Sequence, residues 1–86
     1  MKKTITLRVN GQAFVFEPTL DIYNKFIDEM QPHKKVAANR NLLVRSVHPD
    51  SKEALKAFLD LPGAAVQIAH ALVEEYAPDI DVVVGE

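Results

Sequence analysis

Thr4-Ile5-Thr6-Leu7-Arg8-Val9-Asn10-Gly11-Gln12-Ala13-Phe14-Val15-Phe16-Glu17 is the stretch on which the fold turns. Polar and apolar residues alternate on both sides of Asn10-Gly11, a pair suited to the two positive-φ positions of a type I′ turn. A two-residue turn sets Val9 opposite Gln12, Leu7 opposite Phe14 and Ile5 opposite Phe16. One face of the hairpin then carries Ile5, Leu7, Val9, Phe14 and Phe16. The other carries Thr4, Thr6, Arg8, Ala13, Val15 and Glu17. A slip of one residue would turn every apolar side chain to the wrong face, so the register is specified.

Helices are expected beyond Pro18-Thr19. Leu20, Tyr23, Phe26, Ile27 and Met30 form one stripe of a helix that Pro32 closes. A short helix follows from about Ala38 or Asn39 to Val47, burying Leu43, Val47 and Val44; before it, Val36 is the clear apolar anchor. Asp50 with Glu53 reads as a capping box opening a helix over about 51–60, with Ala54, Leu55, Phe58 and Leu59 inward. Pro62 suits the first turn of a last helix, to about Tyr76, with Ala65, Ile68, Ala69, Leu72, Val73 and Tyr76 inward. Ala77-Pro78 ends it. In the tail, Ile80, Val82 and Val84 alternate with Asp79, Asp81 and Val83, the pattern of a strand, and a strand needs a partner. The expectation is an α+β fold, residues 1–86 forming a single domain. Its N-terminal β-hairpin and C-terminal strand make a small sheet, packed by about four helices.

With 86 residues, 48% of them apolar, a second core has no room. There is no cysteine, hence no disulfide and no thiolate metal site, which suits a reducing cytoplasm. The alternating segment after Met1-Lys2-Lys3, interrupted by Arg8, does not read as a signal peptide, and no apolar run approaches a membrane span. Net charge is −2, from 10 basic and 12 acidic residues, but it is unevenly spread. All the bases lie at or before Lys56; residues 1–56 carry +4 and residues 57–86 carry −6. Between Glu29 and Asp50 there is no carboxylate, while Lys34, Lys35, Arg40 and Arg45 all fall there. Such polarity leaves two options open: solvated surfaces of opposite sign, or poles that meet charged partners, including head-to-tail contacts of a weak homo-oligomer.

Nothing in the chain spells out a catalytic or cofactor site. Gly11, Gly63 and Gly85 are too far apart for a phosphate loop, and His33, His48 and His70 lack zinc spacing. His70 pairs with Glu74 four residues on, as on many helix surfaces. His48 with Ser46 has no positioned carboxylate to make a triad. Asp79 and Asp81 share a strand face but lack the companions of a calcium loop. The basic stretch has no interleaved aromatic, which argues against nucleic acid.

The order of segments is informative as a whole. Thr4-Ile5-Thr6-Leu7, Phe16-Glu17-Pro18-Thr19, the run Asp21 to Met30 and Lys35-Val36 are joined by Ser51-Lys52-Glu53-Ala54-Leu55, Pro62-Gly63-Ala64-Ala65 and the run Glu74 to Ile80. Together, over about residues 4–84, they resemble the small phage tail assembly chaperones. The resemblance implies a non-enzymatic role, without cofactor, in the bacterial host cytoplasm. Such proteins coat the tape measure protein and assist tail tube subunits to polymerise around it. It brings no catalytic residues. The candidate partner-binding residues are therefore those of the acid-free stretch, Lys34, Lys35, Arg40 and Arg45, as the rim of a groove for an amphipathic helix. Two other classes stay open: a small DNA-associated or regulatory protein of a prophage, and a small enzyme using His48 or His70.

Overall fold

The computed structural model describes residues 3–85. Strand β1 (Ile5–Val9) pairs antiparallel with β2 (Gln12–Phe16) in the expected register, Ile5 with Phe16, Leu7 with Phe14 and Val9 with Gln12. Asn10 and Gly11 both have positive φ, 51° and 85°, as a type I′ turn requires. Four helices follow among the described residues: α1 (Leu20–Glu29), α2 (Lys35–Ser46), α3 (Lys52–Leu59) and α4 (Ala64–Tyr76). Pro49–Ser51 form a single 3-10 turn before α3.

The core lies between the hairpin's apolar face and the helices. Phe14, Phe16, Leu43, Leu55 and Ala69 are completely buried, with Leu42 and Leu72 nearly so. Phe14 meets the edge of Phe58 at 5.6 Å between ring centres, which ties the sheet to α3. Helix α2 is the central beam, packed against both α1 and α4, while α4 also touches β1. Two polar side chains are buried with it, and each is satisfied by its own helix. The Asn39 amide donates to the Lys35 carbonyl at 2.7 Å and the Ser46 hydroxyl to that of Leu42 at 2.6 Å.

The expected third strand is absent: the described sheet has two strands, and residues 79–84 pair with nothing in it. One of the hairpin's two edges, the outer edge of β2, is already taken. There the Glu17 amide donates to the Ser46 carbonyl and the His48 amide to that of Val15, both at 2.8 Å, around an isolated bridge between Phe16 and Val47. The link from α2 to α3 thus closes that edge. Among the described residues the edge of β1 stays unpaired, and the tail after α4 does not turn back onto it within the chain.

Three smaller expectations also change. Helix α2 starts at Lys35 rather than at about Ala38 or Asn39, and Val36, expected as the anchor of the stretch before it, is 65% exposed. Asp50 does not cap α3. Its amide instead donates to His48 Nδ1 at 3.2 Å, and Ser51 precedes the helix without a side-chain cap. Pro62 lies in the turn before α4, whose N-terminal cap is Gly63 with φ of 77°, a conformation in which a side chain is strained.

Candidate partner-binding surface

Helix α1 is amphipathic, but its apolar stripe is wider than the core it faces. The Thr19 hydroxyl caps it by accepting from the Ile22 amide at 3.2 Å, which satisfies a first-turn donor and fixes where the helix starts. The helix buries Phe26 and half-buries Ile22 and Tyr23, whose ring lies against that of Tyr76 at 5.7 Å between centres, tilted by 42°. Leu20, Ile27 and Met30 remain 64%, 50% and 36% exposed. The stripe expected to be core along its whole length is therefore half uncovered.

Beside it runs a groove of about 400 Å³. Phe26 and Met30 come from α1, Lys35 and Asn39 from α2, and Val66, Ala69, His70 and Val73 from α4. The alanine and buried asparagine keep its floor low, and Val66, 44% exposed, stands on its wall. Val66 also borders a second hollow of about 300 Å³, together with Val36 and Leu61, both more than half exposed. Met30, Val66, Val36 and Leu61 thus line two neighbouring hollows that share one wall. His70, at the first groove's edge, holds Glu74 at 2.8 Å, the pairing expected from their spacing.

The four cations singled out in the sequence do not all lie together. Lys34, Lys35 and Arg40 border one shallow depression of about 730 Å³ with Pro32, His33, Val36 and Ala37. Lys35 also belongs to the apolar groove. Arg45 is elsewhere, turned toward α1, where its guanidinium grips both oxygens of Glu29 at 2.9 and 3.1 Å. That fork lowers the Glu29 pKa below the usual carboxylate range, chiefly through the hydrogen bond from Arg45. Arg40 reaches Asp60 at 3.7 Å, a looser and more exposed pair. Among the described residues Lys34 and Lys35 make no ion pair. The apolar residues of the surface went unnoticed as site residues, because a stripe at helical spacing reads as core until the packing is known. Val36 carried the available signal: an apolar residue among lysines with nothing nearby to bury it.

Among the described residues no three His, Asp or Glu side chains cluster as metal ligands, and no helix is long and apolar enough to cross a membrane.

Apolar side chains left open on a packed helical frame define a small α+β module with an uncovered apolar face. The chain belongs to the phage tail assembly chaperone family, whose model matches residues 5–86. It is 29% identical over 84 residues to an uncharacterised 11.3 kDa protein of Haemophilus phage HP1, from the region 3′ of lys. That match covers 98% of this chain and 82% of the phage protein. The fold is similar to the solved structure of an uncharacterised protein from Bacillus stearothermophilus, with a TM-score of 0.71 and 24% identity. The likeness covers 96% of this chain and 90% of that one.

Proposed function

We propose that the protein serves phage tail assembly by holding an amphipathic helix of the tape measure protein in the groove between α1, α2 and α4. It acts without catalysis, in the host cytoplasm, and releases the helix as tail tube subunits take its place. The observation that carries this reading is the uncovered half of the α1 stripe beside an apolar groove, in a chain whose core is already complete without it. Helix-in-groove binding needs an apolar trough with spaced anchors and a polar rim. Met30, Val66 and Val73 supply the trough, and Lys35 stands at its rim, with Lys34 beside it on the adjoining depression, to orient an acidic helix face. The groove is shallow and open, which fits a partner that must later leave. A DNA-binding role draws less support, since Arg40 and Arg45 are matched by Asp60 and Glu29.

The test is co-expression with the tape measure protein of the same phage. The pair Met30→Asp and Val66→Asp is expected to leave the protein folded, since both side chains are partly exposed, and to drop the tape measure into the insoluble fraction. Lys34→Glu with Lys35→Glu is expected to weaken capture and make it less salt-sensitive. Solubility that survives both pairs would place binding on another surface.

A further inference from the structure

We propose that the protein self-associates by strand addition, the tail of one copy, residues 79–84, pairing with the open edge of β1 in the next. The inference is independent of which tail protein the groove holds.

In the hairpin, Val9 and Gln12 flank the two-residue turn, so Ile5, Leu7 and Val9 direct their amides and carbonyls toward β2. The backbone groups of Thr4, Thr6 and Arg8 must then point outward. The same alternation on β2 sends those of Val15 and Glu17 outward, and these two bond to the segment after α2. Among the described residues nothing equivalent bonds the outward edge of β1, and Thr4, Thr6 and Arg8 are exposed. An unpaired edge of five residues is a template for another strand.

The tail has the complementary character. Ile80, Val82, Val83 and Val84 are 74–91% exposed in an unpaired segment. The radius of gyration, 13.8 Å against about 12 Å for a compact chain of this length, agrees with a tail held off the body. Laid along β1 with Asp79, Asp81 and Val83 beside the outward-bonding residues, the tail turns Ile80, Val82 and Val84 to the face of Ile5, Leu7 and Val9. Its aspartates then share the solvent face with Arg8, and antiparallel pairing sets Asp79 across from it. A second copy is the occupant because each chain carries both halves of this contact, of opposite charge and on different surfaces. Such a contact is heterologous, and it either closes on itself or continues as an open chain.

The sequence has no cysteine, so site-directed cross-linking is clean. Full-length Thr6→Cys and Val83→Cys proteins, mixed and treated with a short bismaleimide, are expected to give mixed dimers several-fold above the homodimers of either alone. In sedimentation, the unmodified chain should rise in average mass with concentration, and Val83→Pro, which lacks the amide facing β1, should stay monomeric. Val83 lies outside the core, so that variant remains folded. Mixed cross-links at the collisional level would overturn the proposal. So would cross-links formed only within a chain carrying both cysteines, association that Val83→Pro leaves intact, or cross-linking that needs an added tail protein.

Discussion

Glu29 and Arg45 show how a single contact binds two helices and gives the fold a pH dependence. The carboxylate's pKa is lowered in the folded chain by the guanidinium, so its contribution is present above the unfolded value and is lost as pH falls through the folded one. Arg45→Gln is therefore expected to be less stable than the unmodified chain at neutral pH and to converge with it in acid, once the Glu29 carboxyl is protonated in both. Urea midpoints at several pH values check this; parallel curves throughout would mean the pair carries no linkage. Gly63 makes a separate demand. With φ at 77° and the Gln67 amide 3.4 Å from where a Cβ would sit, Gly63→Ala is expected to cost about 1 kcal/mol or more in urea unfolding.

At the level of elements, Thr19 marks the start of α1, and the burial of Phe26 sets which half of its stripe stays open. Thr19→Ala should lower stability by about 1 kcal/mol, and amide exchange should rise in the first turn of α1 rather than in α4. Phe14→Ala should cost about 3–5 kcal/mol, since the ring is completely buried against Phe58. The hairpin was legible to the residue, because parity and turn chemistry both constrain it locally. Helix α4 was legible from its spacing, apart from the exact place of Pro62. The third strand was misjudged because a strand pattern says that a segment can pair, not that it folds back to pair within its own chain. Val47 and His48 at the edge of β2 left no trace in hydropathy, since two backbone bonds need no particular side chains. The start of α2 was missed for a related reason: Lys34-Lys35-Val36 shows no periodicity, and the helix there is held by burial of Ala38, Asn39 and Leu42 further on.

For the whole molecule, the finding is a completed core with apolar surface to spare. The basic stretch was visible in the sequence, but its division was not. Pairing of Arg45 with Glu29 and of Arg40 with Asp60 depends on which helices become neighbours. What remains is Lys35 on a groove that reaches from Phe26 and Met30 to Val66 and Val73, with Lys34 on the adjoining depression. Because these residues contribute little to the protein's own stability, polar substitutions at Met30 and Val66 should shift the urea midpoint only slightly while abolishing partner capture. A loss of stability comparable to Phe14→Ala would instead mark them as core. The most direct measurement is amide shift mapping of the labelled full-length protein titrated with tape measure segments from the same phage. The account expects perturbations gathered on Ile27, Met30, Lys35, Val66 and His70. No change at saturating segment, or perturbations gathered on the outer face of α3 around Glu53 and Ala57, would contradict it.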